Sequence, residues 1–215
     1  MWSPDDSEIY FYRIPDLYVR NASGVGAERL VWKSDKSKRA NDVSPDGRHL
    51  LFSESGENGS RLWLLDVQSG QAEPWIESDY STSRARFSPD GDWVAYISDE
   101  TGRPEAYITN FPEADRRVVV SAGGGHNATW SHDGSELFYH NPAQEIVAIP
   151  IDWSSGDEPR PGKPESLFRV RLRSQASDYS SSPIGALPDG SGFLVNRLNS
   201  DGTDVPLVLV QGAFD

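Results

Sequence analysis

The sequence predicts an all-β fold, a β-propeller of four-stranded antiparallel blades with about five blades in the chain. Three observations carry this expectation. One turn recurs five times, as Ser3-Pro4-Asp5-Asp6, Ser44-Pro45-Asp46-Gly47, Ser88-Pro89-Asp90-Gly91, Ser131-His132-Asp133-Gly134 and Leu187-Pro188-Asp189-Gly190, its second positions 41, 44, 43 and 56 residues apart. A short apolar run follows each turn. Nowhere does a 3.6-residue apolar period persist over the length of a helix. Repeats of this length, each holding four short strands, are the signature of propeller blades.

The turn has a mechanical basis. Proline presets φ for the second position of a type I turn, Ser and Asp satisfy nearby backbone groups, and Gly takes the left-handed conformation that leads into a strand. Trp2, Phe87 and Trp130 precede it, with Val43 and Ala186 as exceptions. The second strands read Ile9-Tyr10-Phe11-Tyr12, Leu50-Leu51-Phe52, Trp93-Val94-Ala95-Tyr96-Ile97, Leu137-Phe138-Tyr139 and Phe193-Leu194-Val195. They are apolar at consecutive positions, so both faces are to be covered by neighbouring blades. Further turns, such as Asp99-Glu100-Thr101-Gly102, lead to third strands at Asp16-Leu17-Tyr18-Val19, Arg61-Leu62-Trp63-Leu64-Leu65, Glu105-Ala106-Tyr107-Ile108 and Ile146-Val147-Ala148-Ile149. Weaker fourth strands are expected over 29–32, 73–76, 117–120 and 166–170. In the fifth unit the expected strands are 180–186, 193–196 and 206–210.

The chain therefore reads as a single propeller domain over 1–215, with blades at about 1–35, 36–78, 79–122, 123–172 and 173–215. A Ser/Gly/Pro/charge-rich loop inserted over 153–164 explains the long last interval. The first unit lacks most of an innermost strand and the fifth lacks a fourth. Either five blades close with imperfect seams, or the wheel is completed by upstream sequence or a second copy.

Composition excludes several classes. The 215 residues include 33 acids against 20 bases, a formal charge of −13 that disfavours nucleic acid. Seven Trp, eight Tyr and eight Phe are too many for a disordered chain, even with hydrophobics at only 36%. Without cysteine there is no disulfide, thiol nucleophile or Cys-ligated zinc. No apolar run approaches the roughly 20 residues of a membrane helix, so direct membrane insertion is not expected.

The aromatic-Ser-Pro-Asp-Gly turn, the apolar second strand and the third-strand pattern Asp16-Leu17-Tyr18 and Glu105-Ala106-Tyr107 resemble TolB-type propeller repeats across nearly the whole chain. From Tyr107 onward, Tyr107-Ile108-Thr109-Asn110-Phe111-Pro112, Val120-Ser121-Ala122-Gly123-Gly124-Gly125, Trp130 to Tyr139, Pro164-Glu165-Ser166-Leu167-Phe168 and Pro206 to Gln211 are similar in order to the C-terminal propeller of bacterial receptor-like serine/threonine kinases. That resemblance implies a noncatalytic sensor or interaction domain in a periplasmic or extracellular setting. No kinase domain, Gly-rich nucleotide loop or transmembrane helix accompanies it in these residues.

Catalytic signatures are scarce. G-x-S-x-G is absent, and no metal-binding spacing links His49, His126, His132 and His140. His132 reads as an exposed turn residue, and His49 and His140 as partly buried strand neighbours. Gly123-Gly124-Gly125 has no lysine or helix to make it a phosphate loop, so it reads as a flexible crossover between blades. Asp201-Gly202-Thr203-Asp204 reads as a hairpin turn rather than a calcium loop. Asn21-Ala22-Ser23, Asn58-Gly59-Ser60 and Asn127-Ala128-Thr129 match glycosylation sequons at a length where chance matches are expected.

Propeller sites form where inner strands converge on the axis. The polar candidates there are Asn41, Asp42, Arg84, Arg86, His126, Asn127, Asp178 and Ser180. Arg84 and Arg86, two apart, are expected on one strand face, where they hold either an anionic group or neighbouring acids. The leading reading is a noncatalytic module, with no cofactor or metal, binding a protein, peptide or cell-wall-type ligand as part of a larger signalling or envelope protein. The first alternative is a glycosidase-like hydrolase or lyase, with Asp42 and Asp178 as carboxylates about 5 to 9.5 Å apart. The second is a truncated fragment without independent activity.

Overall fold

A computed structural model describes residues 1–154, 158–172 and 184–196, together with the backbone of 208–211. It is all β, built as antiparallel sheets in chain order. The first sheet holds β1 (Glu8–Arg13), β2 (Asp16–Asn21) and β3 (Arg29–Trp32). The second runs β4 (Lys38–Val43), β5 (His49–Gly56), β6 (Gly59–Asp66) and β7 (Ala72–Pro74) from axis to rim. The third has the same order, with β8 (Thr82–Phe87), β9 (Trp93–Ser98), β10 (Glu105–Asn110) and β11 (Arg117–Val119). The fourth contains β12 (His126–Trp130), β13 (Glu136–His140), β14 (Glu145–Asp152), β15 (Arg160–Pro161) and β16 (Glu165–Arg169). The fifth contains β17 (Ile184–Ala186), β18 (Gly192–Val195) and β19 (Val208–Gln211).

The recurrent turn folds as its chemistry requires. Ser44 Oγ donates to Asp46 Oδ1 at 2.6 Å and accepts from His49 N at 2.9 Å, while Gly47 N bonds Ser44 O at 2.8 Å with φ +73°. Ser88 and Ser131 repeat this arrangement, and Asp6, where the other turns carry glycine, takes φ +57°. In the fourth turn the Ser131 and Ser135 hydroxyls hold the Asp133 carboxyl at about 2.

Alternate residues of each second strand face opposite neighbours. Leu50 and Phe52 pack toward the first sheet with Tyr10, Leu17 and Val19, whereas Leu51 packs toward the third with Val94 and Tyr96. Ala95 and Ile97 join Leu137 and Tyr139, and Phe138 joins Phe193 and Val195. The core is thus a series of apolar seams between blades. The segment inserted over 153–164 is not simply a loop. Residues Arg160–Pro161 pair with Ile151 and Asp152, and Trp153 packs against Trp93 and Trp130 at 5.7 and 6.2 Å, its Nε1 donating to Gly134 O. An indole this large is placed by the apolar surface it covers.

Candidate functional site

Of the described innermost strands, β4, β8 and β12 each carry a β-bulge at the same phase. Ala40 and Asn41 together oppose Phe52, Arg84 and Ala85 oppose Tyr96, and Asn127 and Ala128 oppose Tyr139. A bulge re-aims side chains that strict alternation would send elsewhere. Its first residue is left-handed at Arg84 (φ +59°) and Asn127 (φ +56°), a conformation that non-glycine residues hold at a cost and that clusters at functional sites.

The bulge separates Arg84 from Arg86. Arg84 reaches into the fourth blade, where Nη1 donates to Asn127 Oδ1. Arg86 turns to the second blade, its Nη1 4.0 Å from Asp42 Oδ1. The two arginines therefore reach to different blades rather than lying side by side, because the inserted residue breaks the two-residue period behind that expectation.

Around Arg86 the wall is continuous. Asp42 Oδ2 accepts from Phe87 N at 2.9 Å, and Trp130 Nε1 donates to Arg86 O at 3.2 Å. Burial raises the Asp42 carboxyl, opposed by Arg86 and by backbone N–H groups. Asp42, Arg86, Thr129, Trp130 and His132 line an open depression of about 370 Å³, with Pro45 and Pro89 of the recurrent turns at its edge.

Of the remaining candidates, Asn41 is buried, its Nδ2 donating to Ser53 Oγ at 2.6 Å and to Arg39 O at 3.3 Å. Asn127 is buried behind Arg84. His126 is half-buried and pairs across strands with His140; burial first, then the Arg84 charge, lowers its pKa. Asp178 and Ser180, and with them the carboxylate pairing of Asp42 with Asp178, lie outside the described residues. Asp201 to Asp204 lie outside them as well.

Sequence reasoning missed two residues beside this wall. Glu105, the acid that opens β10, is buried in the triple-glycine crossover, where it accepts from Gly124 N (3.0 and 2.9 Å), Arg103 Nε (2.7 Å) and Ser121 Oγ (2.5 Å). The crossover thus holds the chain's own carboxylate with one backbone N–H and two side-chain donors. Lys38, the first residue of β4, is fully buried, and its Nζ donates to Pro15 O, Ser34 O and Lys36 O at 3.2, 3.4 and 2.7 Å. The only sequence signal was the acid of the Asp16-x-Tyr18 and Glu105-x-Tyr107 pattern, which stands beside the crossover in each case.

Residues 1–159 match the protein family described as PD40, the TolB beta propeller domain. Tol-Pal system protein TolB of Wolinella succinogenes is 25% identical over 142 residues, covering 64% of this chain and 34% of that protein. Among solved structures, TolB from Acinetobacter baumannii overlays 94% of this chain and 51% of its own with a TM-score of 0.65 at 21% identity. Oligogalacturonate lyase from Vibrio parahaemolyticus overlays 98% of this chain and 61% of its own, with a TM-score of 0.66 at 14% identity. At such identities the two overlays show a shared fold. The chain spans between 16% and 52% of the length of the first curated relatives it matches.

Proposed function

The chain belongs to the TolB beta propeller domain family, and from that premise we propose that it is a noncatalytic interaction module that takes a protein or peptide segment at its axial depression. The observation that carries this reading is the Arg86–Asp42 pair. At 4.0 Å the two groups attract without a hydrogen bond, so the guanidinium keeps donors for an incoming carbonyl or carboxylate. Trp130 and the proline-bearing turns supply the apolar wall that anchors a peptide. The same premise, with the resemblance of the motif order from Tyr107 onward to receptor-kinase propellers, is the basis on which we propose an extracytoplasmic sensor or envelope role.

A second reading rests on Asp42. A carboxyl raised by burial suits a general acid, and the fold is shared with an oligogalacturonate lyase. Panning a random peptide library against the chain separates the two. The module reading expects enriched peptides whose binding falls at least about tenfold in Arg86→Ala and Thr129→Arg, as loss of a charge-assisted hydrogen bond would give. It fails if no peptide is enriched or if both variants bind as the parent does. Release of unsaturated uronides from oligogalacturonate, abolished in Asp42→Asn, would transfer the site to the enzymatic reading.

A further inference from the structure

The first and fifth blades carry matching halves of a seam. In the second blade Phe52 stacks on Trp63 across β5 and β6 (6.0 Å, 21°), and in the third Tyr96 stacks on Tyr107 across β9 and β10 (5.5 Å, 25°). Both pairs lie on the face turned toward the preceding blade, and Phe52, Tyr96 and Tyr107 are at most 1% exposed. The first blade has the same pair at the same register: Phe11 stacks on Tyr18 at 5.9 Å and 22°. Tyr10, Leu17 and Val19 point the other way, into the seam with the second blade.

Among the described residues no blade covers the Phe11–Tyr18 face. Ile9, Phe11 and Tyr18 are half-buried there, and Trp2 and Leu30, paired with Ile9 and Tyr18 respectively, are 57% and 45% exposed. The complementary position is the middle residue of each second strand, which turns toward the following blade. Leu51 and Phe138 fill it in the second and fourth blades, each buried against the next. In the fifth blade it is Leu194, 41% exposed while its neighbours Phe193 and Val195 are buried against the fourth.

We propose that the Phe11–Tyr18 face of one chain receives the Leu194 face of the fifth blade of a second copy, head to tail, reproducing the contact that joins successive blades within the chain. The receiving half is an apolar sheet face of the kind that packs at about 10 Å, and the inserting half presents Leu194, with only Gly185 beside it on β17. The rim of the receiving face has its charges neutralised internally, Arg13 with Glu28 and Arg29 with Glu8. With a charge of −13 on each copy, association strengthens as salt rises. The inference is independent of the axial depression and stands or falls apart from it.

A head-to-tail contact has a specific test, because each substitution kills one half of a heterologous interface. Light scattering over a wide concentration range is expected to show a mass rising above one chain for the parent, and one chain for Phe11→Arg or Leu194→Arg alone. An equimolar mixture of the two variants, each retaining the half that the other lacks, is expected to form a species of two chains and no larger. Tyr18→Lys serves as a second variant of the receiving face, with circular dichroism checking that each protein folds. A parent that stays at one chain overturns the proposal. So does Leu194→Arg associating like the parent while Phe11→Arg does not, since that marks a face pairing with its own twin. The chain has no cysteine, so Tyr18→Cys with Leu194→Cys gives a clean crosslink: a bond between chains is expected, and one within a chain overturns the proposal.

Discussion

Two crossovers, the one entering the second blade and the one entering the fourth, solve the same problem with opposite charge. In each, the chain leaves an outer strand, crosses the end of a sheet and starts a new inner strand, leaving backbone groups without ladder partners. The crossover into the second blade turns carbonyls inward and plugs them with a cation. The Lys38 ammonium sits on two of them, Ser34 O and Lys36 O, and on Pro15 O of the turn between β1 and β2, with Glu54 at 3.9 Å and Asp16 beside it. The crossover into the fourth blade turns Gly124 N–H inward and plugs it with an anion, the Glu105 carboxylate. The sign of the plug follows from backbone conformation. Gly124 at positive φ turns its N–H onto the carboxylate, whereas the 33–37 segment contains no glycine.

The comparison breaks most visibly at Lys38. Burial lowers its pKa, while Glu54, Asp16 and Asp35 hold the charge in place. Lys38→Met leaves Glu54 buried with Lys36, at 3.7 Å, as its one remaining ion-pair partner, and leaves three carbonyls uncapped. Removing one partner of a buried pair costs about 3–5 kcal/mol. Urea unfolding should show that loss, partly recovered by adding Glu54→Gln. A change below about 1 kcal/mol would mean that the cage is no more than a surface ion pair.

The fourth-blade crossover should break next, through its backbone. Gly124 lies at φ +110°, and a Cβ there would stand 2.6 Å from Pro142 Cγ. Gly124→Ala carries a conformational cost of about 1–3 kcal/mol, to which the contact with Pro142 adds. The same measurement checks it, and Ser34→Ala in the other crossover is expected to cost less. Equal losses at the two positions would remove the distinction between a crossover that depends on φ and one that depends on charge.

How far the sequence disclosed these features depends on the range of the interactions. The Ser-Pro-Asp-Gly turn closes within five residues, so each turn and its following strand were legible, down to the left-handed glycine. Fourth strands were placed less sharply, with β7 ending at Pro74 and β11 at Val119, because short rim strands have little apolar pattern. Six of the axial candidates lie on β4, β8 and β12, but their partners could not be read. A bulge leaves no mark in a hydrophobic pattern, so Arg84 and Arg86 looked like neighbours on one face. Lys38 and Glu105 were invisible as plugs, since lysine and glutamate are ordinarily solvated and their partners are 2 to 23 residues away across a crossover. The triple glycine reads as a flexible crossover by sequence, whereas Gly124 and Gly125 are buried against Pro142, Ser121 and Tyr139.

The smallest expected effect separates the two crossovers by pH. Burial pushes the Glu105 carboxyl up, but hydrogen bonds from Ser121, Arg103 and Gly124 outweigh it and hold the group below its ordinary 4.5. A carboxyl depressed in the fold stabilises above its unfolded value, and that stabilisation is lost as pH falls through the folded one. Beside it, burial lowers both His126 and His140 below 6.5, with Arg84 adding to the effect on His126. The unfolded chain therefore takes up protons first as pH drops past about 6.5, and stability declines from there. The two losses come in separate windows at the fourth-blade seam, histidines first and Glu105 below 4.5. Urea midpoints followed from pH 8 to pH 3 should fall in both for the parent. His126→Gln with His140→Gln should flatten the upper window, and Glu105→Gln should shallow the lower one, where the depressed carboxyls of the recurrent turns, such as Asp46 and Asp133, keep the rest of the slope. Unchanged slopes in these variants would place the acid sensitivity elsewhere in the molecule and leave the two crossovers equivalent toward pH.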